Sequence, residues 1–476
     1  MDQEKLSRLY AEGKTLLPLL IIAIIVLSMP YYFRDKSLSL IGGESYNYAR
    51  LAENPLKNYD ELSYGGRFLV FNAYPLILSL FSRALNIDLM DASKTLPIIL
   101  GIMALMLFYF ILKKLETDKL TLFLACLILA ISPPFVYMFT VSNTYIIPII
   151  LALLSFLLLL HDKKTIAYPV FFATIFFGIA PFLISLALLT IYSVKTKSYN
   201  GLYLLLLVLL LLIPIIKLGL PEFIGFDNLP EGINFRMQTF ISELGGEIGL
   251  SIFAILLSLF GLKQLWHGKY EHIAVYIAIA TLMIAYFFEI RSLLYLNFFI
   301  SMLAAIGIVR LLYQKWDSVI INLIIGVILI LGLISSIIFT IGTLANALPN
   351  KDVIDSFAYL NRESKENAVV FSYYVKGQWI SSLGKRKNVM DENFFYAPSL
   401  NERYNDSETL LHTKDINAAE SIINKYKIKY IWIDNTMKNG QVWNENDEGL
   451  LFLLRASNKF KRDYVNDYIE IWKVVG

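Results

Sequence analysis

Uncharged apolar runs recur along this chain, at residues 15–33, 95–112, 120–160, 165–194, 201–216, 248–262, 273–288, 292–309 and 318–350. Runs of this length cross the hydrocarbon core of a bilayer, where every backbone N–H and C=O must bond within the segment, so they are expected to be helices. The composition agrees: 57% hydrophobic and 17% charged residues exclude an ordinary soluble domain. The run 120–160 is twice the length of one crossing. Pro133-Pro134 and Ser142-Asn143-Thr144 divide it into two helices.

Charge placement orients these segments. Lys5, Arg8 and Lys14 precede the first run, which has no small-residue cleavage site after it and reads as an uncleaved first helix with a cytoplasmic head. Lys163-Lys164 and Lys195-Thr196-Lys197 both read as cytoplasmic. The run between them is therefore a tight hairpin turning near Gly178-Ile179-Ala180-Pro181. That gives about eleven crossings. The loop 34–91 and everything after residue 349 then lie outside the cell. The expected architecture is an α-helical polytopic membrane domain at 1–349, including the external loop 34–91, followed by an extracytoplasmic α/β domain at 350–476.

Residues 350–476 change from uncharged to mixed composition and alternate helical and strand periodicities. Segments 352–362, 378–383, 416–426 and 447–457 read as helices and 368–374 and 429–433 as strands. Residues 463–475 read as a closing hairpin turning near Asn466-Asp467. The net charge of +3 does not call for a nucleic-acid partner. The lone Cys126 lies in an apolar run, and His161, His267, His272 and His412 show no ligand spacing, so no metal site is expected from them.

The chemistry concentrates in Gly42-Gly43-Glu44-Ser45-Tyr46-Asn47-Tyr48-Ala49-Arg50. Two glycines permit unusual backbone angles and close approach. One carboxylate follows them, Tyr46 and Tyr48 can flank a ligand, and Arg50 can hold an anion. Asp60, Glu61 and Arg67 follow in Tyr59-Asp60-Glu61-Leu62-Ser63-Tyr64-Gly65-Gly66-Arg67. Each has a plainer reading: Glu44 as a solvated or helix-capping acid, the tyrosines as interfacial aromatics, Arg50 and Arg67 as pins between the loop and the tail, Asp60 and Glu61 as exposed charge.

A cytoplasmic start, one helix, an external loop with an early acid, a multi-helix body and an external α/β tail together resemble the C-type glycosyltransferases, which use polyprenyl-linked sugar donors. The two stretches just quoted are similar to the first external loop of that superfamily, the second to archaeal members in particular. Glu289-Ile290-Arg291, opening a helix that ends Leu303-Ala304-Ala305-Ile306-Gly307, resembles the segment carrying the family's lipid-phosphate arginine. The tail stretch 368–380 is similar to part of the oligosaccharyltransferase catalytic subunit. Two departures stand beside these matches. Ser372-Tyr373-Tyr374-Val375-Lys376-Gly377 stands where oligosaccharyltransferase has Trp-Trp-Asp-Tyr-Gly, and Val141-Ser142-Asn143-Thr144-Tyr145 stands where it has a second acidic, metal-holding motif. Hard cations need oxygen ligands, usually with carboxylates among them.

The resemblance implies transfer of a sugar from a polyprenyl(dolichyl)-phosphate donor to a lipid-linked glycan, lipid or protein acceptor; the missing second acid makes the expected transfer a metal-free one, and no cofactor is expected. Glu44 is then the general base, Arg291 the donor-phosphate residue with Arg236 in reserve, and Tyr46, Tyr48, Arg50, Asp60, Glu61 and Arg67 line the substrate. The competing readings are oligosaccharyltransferase-like protein glycosylation, a non-catalytic scaffold, and a lipid or glycan transporter. A transporter is expected to show ionisable residues or broken helices within the membrane and internal repeats. The runs here are long and uncharged.

Overall fold

The computed structural model describes residues 3–35, 40–69, 71–196, 239–244, 246, 248–268, 270–314, 319–394, 397–445 and 447–475. The apolar run 201–216 and Arg236 lie outside them. The described residues fall into two compact units, one of residues 3–34, 72–196 and 239–346, the other of residues 35–71 and 347–475.

The chain opens the first unit with α1 (Gln3–Phe33), then contributes α2 (Gly42–Glu53) and the two-residue strands β1 (Tyr59–Asp60) and β2 (Arg67–Phe68) to the second. It returns to the first with α3 (Ala73–Leu85), α4 (Leu89–Lys114), α5 (Lys119–Ile131), α6 (Pro133–Thr140), α7 (Ile146–Leu160), α8 (Lys164–Phe172) and α9 (Ile179–Lys195). Further along the chain come α10 (Ile252–Leu265), α11 (Ile273–Tyr286), α12 (Ser292–Tyr313) and α13 (Val319–Ala345).

Among the described residues four segments are long and apolar enough to cross a bilayer: Lys14–Phe33, Leu89–Lys114, Ser292–Tyr313 and Gly326–Ala345. The bent pair α5 and α6, at 56°, makes a fifth. Pro133 and Pro134 sit at the first positions of α6, where a missing N–H costs no helical hydrogen bond. The prolines therefore bend the first part of the run 120–160, and residues 141–145 separate that part from α7. Six further apolar helices are 10–17 residues long, shorter than the roughly 20 residues of a full crossing. Between α8 and α9 the chain turns at Gly178, bringing the Phe171 ring 5.5 Å from that of Phe182. The chain is a multi-pass membrane protein.

α12 is the best-buried of these helices and packs on α10 without intervening side chains. A Cβ on Gly307 would collide with the carbonyl of Leu257, and one on Gly261 with that of Leu303. Small residues at such a crossing let two membrane helices approach closely. Asn297 on α12 donates to the Ser132 hydroxyl at the α5/α6 bend, 2.7 Å away, so both polar groups are satisfied in an apolar interior.

The second unit continues with α14 (Lys351–Glu363), β3 (Val369–Phe371), α15 (Gly377–Ser382), β4 (Lys387–Asn388), α16 (Leu400–His412), α17 (Ile416–Tyr426), β5 (Ile428–Asp434), α18 (Gly449–Ala456), β6 (Phe460–Val465) and β7 (Ile469–Val474). The strands form one mixed sheet in the order β4-β3-β5-β7-β6, parallel across β4, β3 and β5 and antiparallel from β5 to β6. Alternate side chains of β5 point to opposite faces. Tyr430 and Trp432 enter a core with Phe357 of α14 and Ile380 of α15, and Ile431 and Ile433 enter another with residues of α16, α17 and α18.

Candidate active site

The glycine-rich motif forms the start of α2, and each glycine has a steric cause. Gly42 has φ +72°, left-handed backbone that disfavours a side chain. At Gly43 an added Cβ would run into the indole of Trp379 on α15. Glu44 follows in the first turn, half-buried, where the helix dipole favours a carboxylate. The Ser45 hydroxyl donates to the Ile41 carbonyl at 2.7 Å. Tyr46 is buried, and its hydroxyl accepts from the Leu40 amide at 3.1 Å. Its role in the structure is to hold the chain entering α2. Tyr48 is half-buried on the same helix.

The four other charged residues read as lining the substrate, Arg50, Asp60, Glu61 and Arg67, are engaged with one another or with neighbours. Arg50 donates to both carboxylate oxygens of Asp60, at 2.9 and 2.7 Å, and to Asn47 Oδ1 at 3.2 Å. Asp60 is buried and also accepts from the Leu62 amide at 3.0 Å. Burial raises the pKa of this carboxyl, but the Arg50 hydrogen bonds and charge outweigh burial and hold it below the ordinary aspartate value. Glu61 is exposed, and a hydrogen bond from Lys57, with Nζ 2.8 Å away, lowers its pKa too. Arg67 is buried and donates to the Asn393 carbonyl at 2.6 Å.

The loop carrying these residues is anchored on β4 and the turn after it. The Leu62 carbonyl accepts from the Asn388 amide at 2.9 Å, and the Tyr64 amide donates to Asn388 Oδ1 at 2.6 Å. The Tyr64 hydroxyl donates to the Asp391 carbonyl, also at 2.6 Å. Lys376 belongs to the tail stretch 372–377. Its ammonium lies 2.9 Å from Asp434, 3.0 Å from the Thr436 hydroxyl and 4.9 Å from the centre of the Trp379 ring, and both Lys376 and Asp434 are buried. This buried pair was not legible in the sequence, because Lys376 and Asp434 are far apart in the chain and meet only through β5.

In the helical unit, Arg291 directly precedes α12, with its guanidinium 5.3 Å from the centre of the Tyr145 ring. The Glu289 carboxylate accepts from the Arg291 amide at 3.2 Å. Tyr145 is the last residue of the stretch standing where the family has its second acid; the stretch is hydrogen-bonded within the helical unit, and the Glu289 carboxylate is bonded to Tyr145 at its end. Tyr74 donates to the Ser142 hydroxyl at 2.8 Å, and Ser142 to the Ser93 carbonyl at 2.9 Å. Asn143 donates to the Val141 carbonyl at 2.7 Å, and its own oxygen accepts the Tyr145 amide at 2.9 Å. With its oxygen accepting a backbone amide, Asn143 offers at most one neutral oxygen where hard cations usually take carboxylates. Among the described residues no three His, Cys, Asp or Glu side chains gather as a metal cluster.

No protein-family model and no curated protein sequence matches the chain. Solved structures do, and the fold is that of the C-type glycosyltransferases. The oligosaccharyltransferase of Archaeoglobus fulgidus, solved with zinc and sulfate, is similar with a TM-score of 0.62 at 15% identity, over 93% of this chain and 71% of that one. ArnT from Cupriavidus metallidurans, bound to undecaprenyl phosphate, gives 0.57 at 8%, over 97% and 98% of the two chains. The arabinofuranosyltransferase AftD from Mycobacteria gives 0.60 at 12%, over 98% of this chain and 42% of its own length. What is shared at such identities is the fold.

Proposed function

We propose that the protein is a membrane glycosyltransferase that moves a sugar from a polyprenyl-phosphate donor to an extracytoplasmic acceptor. The observation carrying this reading is the match to ArnT over nearly the full length of both chains. The solved relatives include one bound to undecaprenyl phosphate and one, the archaeal oligosaccharyltransferase, in complex with dolichol-phosphate and an inhibitory peptide. These support a lipid-linked donor. In the proposed topology the N-terminus is cytoplasmic, about eleven helices cross the membrane, and residues 350–476 form an extracytoplasmic α/β domain after the membrane domain 1–349.

In the proposed reaction Glu44 takes the proton from an acceptor hydroxyl while that oxygen attacks the anomeric carbon. The bond from that carbon to the phosphate oxygen breaks, and its electron pair leaves on the polyprenyl phosphate. Arg291 stabilises the departing phosphate through charge-assisted hydrogen bonds. Asp60 and Glu61 suit the base role less, because their lowered pKa values make both carboxylates weaker proton acceptors. No step uses a metal. The test is to incubate membranes containing the protein with a panel of labelled polyprenyl-phosphate sugars. Label moving to an acceptor supports the reading. A protein that binds donors of every class and moves none would be a scaffold or a carrier.

A further inference from the structure

One end of the mixed sheet opens into a cleft of about 810 Å³, within the size range of small-ligand sites. It lies where the parallel strands β3, β4 and β5 begin and β7 ends. Lys387, Lys429 and Lys473 reach it from three of these strands, and Arg403 from α16. Lys365, Lys425 and Lys427 reach it from the ends of α14 and α17. Among the described lining residues one, Glu363, is acidic.

Two ordinary causes account for part of this. Cations near helix C-termini complement the helix dipole, which covers Lys365, Lys425 and Lys427. Lys425 is also paired with Glu402 and Asp406. Neither cause reaches the strand lysines. Among the described residues no carboxylate is in ion-pair contact with Lys387, Lys429 or Lys473, although the Glu61 charge acts on Lys387 and the Lys473 ammonium lies 5.9 Å from the Tyr430 ring centre. Like charges converging in a concave, low-dielectric wall repel one another and focus a field on an incoming anion.

We propose that this cleft binds an anionic glycan, a saccharide segment bearing carboxylate, phosphate or sulfate groups. Its concavity suits a chain rather than a bilayer plane. The aliphatic residues lining it, Ala368, Val369, Val389 and Val474, are small, and of its three tyrosines Tyr64 and Tyr430 are buried and Tyr426 is bonded to Asp406, so none stands out to enter a membrane interface. Binding stands on the cleft alone. Only the further step, that the bound glycan is part of the acceptor, rests on the glycosyltransferase reading.

The experiment uses the full chain in nanodiscs of neutral lipid, with fluorescent hexagalacturonate, a sulfated dextran fragment and neutral maltohexaose as probes. Either charged probe should bind, more weakly as salt is added, and maltohexaose should not. Binding should fall roughly tenfold or more in a Lys387→Glu, Lys429→Glu variant and by less in the milder Lys387→Gln, Lys429→Gln one. Equal binding of maltohexaose, or undiminished binding in both variants, overturns the proposal. So does binding of anionic-lipid vesicles but of no saccharide, which would make the cleft a membrane contact. A Glu44→Gln chain should bind the charged probes like the unaltered protein. Transfer without anion binding would refute the cleft proposal alone, and binding without transfer the catalytic reading alone.

Discussion

Arg50 grips Asp60 through two parallel hydrogen bonds of 2.9 and 2.7 Å, and the paired side chains are 13% and 2% exposed. The pair closes the loop between α2 and β1. Removing one partner leaves the other buried and uncompensated, so Arg50→Ala is expected to destabilise the second unit by ~3–5 kcal/mol. Arg50→Lys keeps the charge but loses the fork, and is expected to recover only part of this. Thermal unfolding of the detergent-solubilised protein measures it. An Arg50→Ala midpoint equal to that of the unaltered chain would show that the pair contributes nothing.

The same pair has a defined pH dependence. The Arg50 guanidinium outweighs burial and holds the Asp60 carboxyl below the ordinary aspartate range in the folded chain. A depressed carboxyl pKa contributes stability that is complete above the unfolded value and is lost as pH falls through the folded one. The unaltered protein is therefore expected to hold this contribution from neutral pH down to about pH 4 and to lose it below. Asp60→Asn lacks the titrating group. Midpoints measured from pH 7 to pH 3 should draw together in acid, and parallel curves would count against the assignment.

The sequence carried the periodic elements well and the long-range pairings poorly. The segment 416–426 reads as an amphipathic helix and forms α17 over those residues, because its apolar spacing and the Asp415 cap, accepting from the Asn417 amide, are both local. The closing hairpin turns at Asn466-Asp467 for a similar reason, with Asn466 Oδ1 accepting from the Tyr468 and Ile469 amides. The glycines before Glu44 signalled close approach. What approaches Gly43 is Trp379, more than three hundred residues later, and no local pattern names that partner. The loop residues read as substrate-facing were ambiguous for the same reason. Arg50 with Asp60, and Arg67 with Asn393, are contacts that only the folded chain defines.

The buried pair Lys376 and Asp434 gives a second stability prediction. Asp434→Asn strands the Lys376 ammonium beneath Trp379 and is expected to cost ~3–5 kcal/mol, whereas replacing both residues together by apolar ones is expected to cost less, what remains being the loss of the Met437 amide and Thr436 hydroxyl bonds to Asp434 Oδ1. A double-mutant cycle on unfolding midpoints checks this. Equal losses in the single and double variants would mean that packing matters here and charge pairing does not.

Sugar transfer is expected to persist in excess chelator. The stretch standing at the family's second acidic motif offers Asn143, whose oxygen accepts a backbone amide, and Ser142, whose hydroxyl lies between Tyr74 and Ser93. Activity abolished by chelation and restored by magnesium or manganese would discard the metal-free reaction, and Glu44 would have to be re-examined as a ligand rather than a base.

Glu44 is expected to be the general base, and glutamine there tests the role with the least disturbance, since it keeps the size and hydrogen-bonding capacity and removes the proton affinity. Turnover should fall by roughly a hundredfold to ten-thousandfold, the usual contribution of a positioned acid or base. Donor affinity should change far less, because a base acts on the acceptor hydroxyl and not on the lipid phosphate. Arg291→Ala should behave in the complementary way, weakening donor binding along with turnover through the lost phosphate contact. The split between the two variants separates catalysis from binding. Full transfer by a normally inserted Glu44→Gln protein would remove the assignment, and the base would then have to be sought at Asp60 or Glu61 despite the arginine and lysine that hold them.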